Sequence, residues 1–495
     1  MVELAHFRNT VGGEHVESAT GNWIESVNPY TGEPWAKVPH CNATDVDAAV
    51  DAAHNAFVKG PWATMAPTAR GKLLHRLGDL IAREASKLAE IEVRDNGKLL
   101  AEMAGQTRYI PEWFYYFGGL ADKIEGGVIP IDKPDLFTYT KREPLGVVAA
   151  ITPWNSPLLL LTWKLAPALA AGNTIVIKPS EFTSCSTLAL MDLFREAGFP
   201  DGVVNTVTGY GHEIGAALVE HPKVAKVAFT GGDATGARVY ASAARHIKHV
   251  TLELGGKSPN IIFEDANLDD AVKGAISGIF AASGQTCIAG SRLLVQRSVY
   301  DEVSAKVVEL ARSARLGDPM SPHTQVGPIT TLPQRHKVLD YINVAESEGA
   351  KCLLGGKIPE APELARGWFV EPTIFGNVSN SMRIAREEVF GPVLSIIPFE
   401  DDEEAIEIAN DTIFGLASGV WTSSIRRAIR MADRIRAGTV WVNTYRAVSF
   451  MAPFGGYKLS GIGRESGQDA IGEYLQTKCV WINLAEGVPN PFVMR

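Results

Sequence analysis

Residues 145–181 read "LGVVAAITPWNSPLLLLTWKLAPALAAGNTIVIKPSE". "LGVVAAI" is a β-rich apolar run, "PLLLLTWKLAPALAAG" is helical, and "NTIVIKP" is a second strand. Pro153, Asn155, Pro157 and Lys164 interrupt the apolar region, which predicts strand, turn and buried helix and excludes a membrane span. The alternation continues. "STLALMDLFREAG" predicts a helix ended by Gly198, "VVNTVTG" a strand and "HEIGAALVEH" a helix. "KVAFTG" is a strand, "DATGARVYASAARH" a helix and "HVTLELGG" the closing strand. Strands alternating with helices in this way specify an α/β fold with a parallel sheet covered on both faces. Ligands of such sheets bind beyond the C-terminal ends of the strands.

Working outward, 44–59 and 67–104 read as helices, with Thr44 and Asp47 resembling a start signal. A second α/β series occupies about 257–456, with helices at 268–283, 298–314 and 332–348 and strands at 291–296 and "GTVWVN". Residues 126–144 break the alternation. Phe137 and Tyr139 alternate there with Thr138 and Thr140, which predicts an antiparallel excursion. "KCVWINL" (478–484) is another short strand. Two strands without a home sheet are expected to pair with another subunit.

A chain of 495 residues exceeds one simple core, and 46% hydrophobic with 21% charged residues is an ordinary globular balance. A net charge of −9 argues against a general nucleic-acid binder. The opening residues lack the apolar core of a secretion signal. Cys41, Cys185, Cys287, Cys352 and Cys479 include no CxxC pair, so a reduced, cytoplasmic setting is expected, without a metal site.

Each strand of the first series ends in residues suited to a ligand. Trp154 and Asn155 follow the first, Lys178 and Glu181 the second, Gly211 the third, and Gly231 and Gly232 the fourth. No GxGxxG fingerprint is present, yet a Gly-rich turn opening a helix can hold a pyrophosphate on backbone N–H groups. Lys178 and Glu181 offer one donor and one acceptor to a ribose diol. Glu253 lies between Leu252 and Leu254 at the end of the fifth strand. A carboxylate in an apolar run is either ion-paired, with Lys257 one candidate, or a base of raised pKa. In "SGQTCIAG" (283–290), Cys287 stands in a Gly/Thr-rich bend that can present its sulfur where the strand ends deliver Asn155 and Glu253.

"PWNSPLLL", "IKPSE", "FTGG", "TLELGGKSPN", "GQTCIAG", "EEVFGPV", "WVN" and "PFGGYKLSGIGRE" occur in this order. Together they closely resemble the NAD(P)-dependent aldehyde dehydrogenase superfamily over nearly the whole chain. The resemblance implies a Rossmann-type parallel-sheet cofactor domain (1–125 and 145–256), an α/β catalytic domain (257–456) and an oligomerisation β-arm (126–144 and 472–495). It implies a homodimer or homotetramer and a small-molecule aldehyde as substrate. Cys287 would attack the aldehyde, with the Asn155 amide and the Cys287 backbone N–H stabilising the oxyanion, and Glu253 would activate the water that hydrolyses the thioester. Lys164 would support them from the helix beneath Asn155. Lys178 and Glu181 would hold the adenosine ribose and Glu388 the nicotinamide ribose. Phe390, Trp154, Gly211, Gly231, Gly232 and Leu254 would complete the cofactor cleft. Glu181 would repel a 2′-phosphate, so NAD is expected over NADP.

The sequence departs from the family pattern at Gly232, where Ser is frequent, and at Ser156, where a bulky aromatic is frequent. Ser156 should widen the tunnel to Cys287. Thr286 and Ile288 flank the nucleophile, and Tyr109, Trp113, Trp163, Val448 and Phe454 are candidates for the tunnel wall. Arg446, at the tunnel mouth in the family, would select a semialdehyde through its distal carboxylate. Rival readings are an acylating enzyme that passes the thioester to coenzyme A, a ligand-binding protein without turnover, and a thiol esterase. Glu253 argues against the first. The joint presence of Cys287, Glu253 and Asn155 argues against the second, and the lack of a histidine cluster against the third.

Overall fold

β1 (Val147–Ile151) and β2 (Thr174–Lys178) are buried at every residue, as strands covered on both faces must be. A computed structural model describes residues 4–488 and 490–492 and shows how they are joined. The helix Pro157–Ala171 has Pro at its start and ends at Gly172, where φ is 97°. Its first turn is fixed from outside: buried Glu92 accepts the Leu158 N–H at 2.9 Å, a carboxylate placed at the positive end of the helix. That contact sets where the preceding residues, Asn155 and Ser156, must lie.

β3 (Val204–Thr206), β4 (Val224–Thr230) and β5 (His249–Glu253) complete a parallel sheet of order β3-β2-β1-β4-β5. The chain order reverses beside β1, where β2 lies on one side and β4 on the other. Crevices at such points sit beyond the carboxyl ends of the strands. Gly461–Ile462 adds an antiparallel edge to β5, a pairing the sequence pattern does not announce.

β5 ends at Glu253, and β6 (Pro259–Ile262) begins the second sheet after only residues 254–258. That sheet contains β7 (Arg292–Gln296), β8 (Lys351–Leu354), β9 (Thr373–Gly376), β10 (Val393–Phe399), β11 (Ala417–Trp421) and β12 (Thr439–Val442). Its order is β8-β9-β10-β7-β6-β11-β12, parallel except for β8.

Several expected boundaries shift. The first helix runs Ala43–Val58 and is capped by a reciprocal Asn42–Asp45 box, two residues earlier than a start at Thr44 and Asp47. The expected helix at 67–104 is two, Pro67–Asn96 and Leu100–Tyr109, separated at Gly97 with φ 73°. "HEIGAALVEH" forms a wide turn at Gly211–Gly215 and a helix of only Ala216–Glu220. The segments 126–144 and 478–484 do not wait for a partner. Leu136–Pro144 pairs antiparallel with Leu475–Asn483 along its whole length, and Val128–Ile129 flanks it. Leu475–Asn483 is left as an exposed outer strand.

Fully buried Asn173 ties this arm to the first sheet. Its Oδ1 accepts the Gly146 N–H at 3.0 Å, and its Nδ2 donates to Ala168 O at 3.1 Å and Tyr474 O at 3.0 Å. Asn173→Ala strands the Gly146 N–H, at about 1–3 kcal/mol, while Ala168 O and Tyr474 O keep the backbone N–H groups of Asn173 and Leu145. We expect a loss of about 1–3 kcal/mol, seen as a lower thermal unfolding midpoint; an unchanged midpoint would show that the knot is not needed.

Candidate active site

The bend that carries Cys287 is held by force. The helix Leu268–Phe280 stops three residues short of its sequence expectation, and Ala282, Ser283 and Gly284 follow with φ of 53°, 53° and 70°. Left-handed Ala and Ser each cost on the order of 1 kcal/mol. Contacts hold them there. The Ala282 N–H donates to Glu102 Oε1 at 2.7 Å, and Ser283 Oγ to Gly327 O at 2.8 Å. Gln285 Oε1 accepts the Thr330 N–H at 2.9 Å. At Gly284 a Cβ would lie 2.0 Å from Gly391 O, so only glycine fits. Asn155 Nδ2 then donates to Gln285 O at 2.9 Å, joining the end of β1 to the bend two residues before the thiol.

Burial, then the carboxylates of Glu388 and Glu253, push the Cys287 thiol up to about 12. Glu253 is itself held well above the usual carboxylate range, chiefly by burial and next by Glu465. Both Glu253 oxygens are buried without a hydrogen-bond partner among the described residues. Lys257 is not its counter-ion; Lys164 and Arg464 are the cations that act on it. Fully buried Lys164 donates to Thr230 Oγ1 at 2.6 Å and pairs with Glu465. Lys164 is thus bonded to Thr230 and Glu465, with no hydrogen bond to Asn155 among the described residues.

Beyond the sheet ends lies a cleft of about 550 Å³. Trp154, Asn155, Glu253 and Cys287 line one part of it, and Glu388, Phe390 and Leu254 lie beside them. Lys178, Glu181, Gly211, Gly231 and Gly232 also line it. Lys178 Nζ is 3.6 Å from Glu181 Oε2, and its burial lowers its pKa. Gly232 opens the helix Asp233–Ala244, and in its first turn the Ala234 N–H donates to Asp233 Oδ1 at 2.8 Å. Leu254 packs on Gly236, where a Cβ would be 2.4 Å from its Cδ2. Glu388 Oε1 accepts the Gly256 N–H at 2.9 Å, and burial raises its pKa to about 7. Its neighbour Glu387 is bound by Arg383 at 2.7 Å and Tyr341 at 2.6 Å and held down at about 2. Phe390, at φ 59°, meets Trp154 edge-on with centroids 5.2 Å apart.

Tyr109, Trp113, Trp163 and Phe454 lie outside that lining and form an aromatic chain. Centroids are 5.0 Å apart for Tyr109–Trp113, 6.1 Å for Trp113–Trp163 and 5.1 Å for Trp163–Phe454. Val448 packs on the same core, which also buries Ile288. Thr286 Oγ1 is buried without a partner among the described residues. Ser156 Oγ accepts from buried Lys98 at 2.8 Å. Arg446 Nη1 donates to Ser277 O at 3.1 Å, and Cys287 and Glu102 are among the groups whose charges act on it.

Residues 15–480 match the model of the aldehyde dehydrogenase family. The chain belongs to that family. It is 46% identical over 495 residues, 99% of this chain and the whole of the relative, to (Z)-2-((N-methylformamido)methylene)-5-hydroxybutyrolactone dehydrogenase of Acinetobacter baylyi. A betaine aldehyde dehydrogenase from Staphylococcus aureus, solved with NAD+, superposes with a TM-score of 0.97 at 41% identity, covering 99% of this chain and 100% of that one. An NAD+ complex of an aldehyde dehydrogenase from Bacillus cereus gives 0.95 at 45% identity, with 97% of each chain covered.

Measured against this aldehyde dehydrogenase fold, the motif reading missed residues that act through space. Glu465 lies inside the quoted "GIGRE", but only the fold brings its carboxylate to Lys164 and Glu253. Gln334 Nε2 donates to Val389 O at 2.8 Å and Phe390 O at 3.0 Å, holding the Phe390 turn. Lys337 lines the cleft, and Phe450 meets Tyr109, Trp113 and Tyr116 at 6.0, 5.9 and 5.4 Å. No local pattern marks any of the three. Because the Cys287 thiol titrates near 12 in this setting, its alkylation by iodoacetamide should keep rising with pH beyond the ordinary thiol range. Mass spectrometry of the Cys287 peptide measures this; a plateau below pH ~8.5 would contradict it.

Proposed function

We propose that this aldehyde dehydrogenase oxidises an aldehyde to its carboxylic acid with NAD, through an acyl group carried on Cys287. The observation that carries the reading is the convergence of a thiol, a side-chain amide and a partnerless buried carboxylate on one cleft: Cys287, Asn155 and Glu253. The NAD+ complexes of the S. aureus and B. cereus relatives support the cofactor.

The cleft suits a dinucleotide. It runs along the strand ends of the first sheet, and the N-terminus of the helix that Gly232 opens faces it, with the Asp233 carboxylate on the Ala234 N–H. Lys178 and Glu181 would hold the adenosine ribose and Glu388 the nicotinamide ribose. Trp154, Phe390, Gly211, Gly231 and Leu254 would shape the walls. Glu181 favours a free 2′-hydroxyl, hence NAD over NADP. When bound, the nicotinamide supplies an acceptor for the hydride of the substrate carbon.

Cys287 Sγ gives its proton to water in the cleft and bonds to the aldehyde carbon, and its raised pKa makes that proton transfer the uphill part. The oxygen that gains charge is met by the Asn155 amide and the Cys287 N–H, donors worth about 3 kcal/mol each in such sites. After hydride loss the carbon is a thioester. Glu253 takes a proton from water, the hydroxide adds to that carbon, and the carbon–sulfur bond breaks. A carboxylate of raised pKa is the better match for this task. Lys164 and Glu465 set the charge around it. The same reading divides the chain into a cofactor domain (1–125 and 145–256), a catalytic domain (257–456) and an arm (126–144 and 472–495). The exposed outer strand of the arm would join a homodimer or homotetramer, and five free cysteines would suit the cytoplasm.

Arg446 supports a second reading. Its guanidinium donates to Ser277 O and feels the Glu102 carboxylate only through space, so it offers a charge to a distal substrate carboxylate, as in a semialdehyde. Tyr109, Trp113, Trp163, Val448 and Phe454, with Thr286, Ile288 and Ser156 near the thiol, would form the tunnel.

Cys287→Ala is expected to abolish formation of reduced cofactor. Glu253→Gln should leave a burst of about one equivalent and slow steady turnover ~100-fold or more; wild-type turnover in either variant removes that residue from the mechanism. Glu253 acts only when deprotonated, so the hydrolytic rate should rise with pH above the ordinary carboxylate range, a limb that Glu253→Gln lacks. Arg446→Ala should lower kcat/KM for succinic semialdehyde relative to hexanal by about tenfold. An unchanged ratio rejects the semialdehyde reading.

A further inference from the structure

We propose that Tyr445 is a positioning residue for Cys287, fixing the far side of the bend through its hydroxyl; this rests on Cys287 being the nucleophile. Tyr445 Oη donates to Ile288 O at 3.0 Å in a buried setting. Asn155 grips the same bend at Gln285 O. The thiol-bearing residue is thus pinned one residue after and two residues before. A backbone N–H aimed at a developing oxyanion needs that restraint, because small misplacements cost rate.

The surroundings of the ring are built to accept it. An added Cβ would lie 3.2 Å from the Tyr445 ring at Gly278, 3.0 Å at Gly290 and 2.5 Å at Gly419. These glycines belong to the helix before the bend, the chain just after it and β11. Three backbones from separate elements approach one phenol, which therefore transmits the position of the second sheet to the bend. Trp441 closes another side, with centroids 4.9 Å apart.

Tyr445 is itself anchored on both sides. Asn443, at φ 52°, exchanges two hydrogen bonds with the Thr422 backbone at 2.9 and 3.1 Å. Arg446, at φ 67°, donates to Ser277 O. Left-handed residues flank the tyrosine, and both are tied to neighbouring elements. The hydroxyl is not a proton donor in the reaction: burial raises its pKa well above the usual phenol range, and its proton is committed to Ile288 O.

The test is Tyr445→Phe, which keeps the ring and removes one hydroxyl. Single-turnover formation of reduced cofactor with a saturating aldehyde should slow by about tenfold. Iodoacetamide alkylation of Cys287, which requires the sulfur but no oxyanion site, should change by less than about twofold, and the thermal midpoint should hold within about 2 °C. Tyr445→Leu, which also empties the glycine cage, should lower the midpoint as well. A single-turnover rate in Tyr445→Phe within about twofold of wild type overturns the proposal. So does an equal fall in alkylation and turnover with a lowered midpoint, which marks a merely structural role. Cys287→Ala run in parallel separates the two readings: turnover in that variant defeats the nucleophile assignment whatever Tyr445→Phe does.

Discussion

Five residues carry the chain from Glu253, the last of β5, to Pro259, the first of β6, and the site depends on that short crossing. It leaves no room for side chains at its centre. A Cβ on Gly255 would lie 2.7 Å from the Glu388 carboxylate, and one on Gly256 would lie 2.4 Å from Cys287 O. The paired glycines let a residue from each of two later segments close on the end of the first sheet. Glu253 and Cys287 come together because the backbone between the sheets is thin enough to be packed from both directions.

Closeness of this kind concentrates charge out of water. Glu253, Glu388 and Glu465 occupy one buried neighbourhood, and burial is the leading cause of the raised pKa of the first two. Among the described residues only Glu465 of the three has a direct cationic partner, Lys164, itself fully buried. A stability-optimised core would not leave both oxygens of a carboxylate without hydrogen bonds. Backbone strain at Ala282 and Ser283 lies beside the same spot and is held by contacts from Glu102 and Gly327. The surrounding fold is dense and apolar, with β1 and β2 wholly buried, and it offsets the local cost.

Much of the first sheet was legible in the sequence because fully covered parallel strands are continuous apolar runs between helical ones. β1, β2, β4 and β5 fall where the pattern put them. Legibility failed where tertiary contacts override local preference. The helix ending at Phe280 continues in apolar and small residues, and nothing local announces that Glu102, 180 positions earlier, will capture the Ala282 N–H. The arm strands read as unpaired because their partners lie more than 300 residues apart along the chain.

The sequence alone determined the α/β class, the lone thiol between flexible residues and the carboxylate inside an apolar strand, because composition and spacing are local properties. It also carried enough ordered motifs to show a family resemblance. Only the tertiary structure decided that Lys164 answers Glu465, that Glu253 has no counter-ion at Lys257, and that Tyr445 fills the space of three glycines. Those facts are distances between groups far apart in the chain, and packing, not local propensity, sets them.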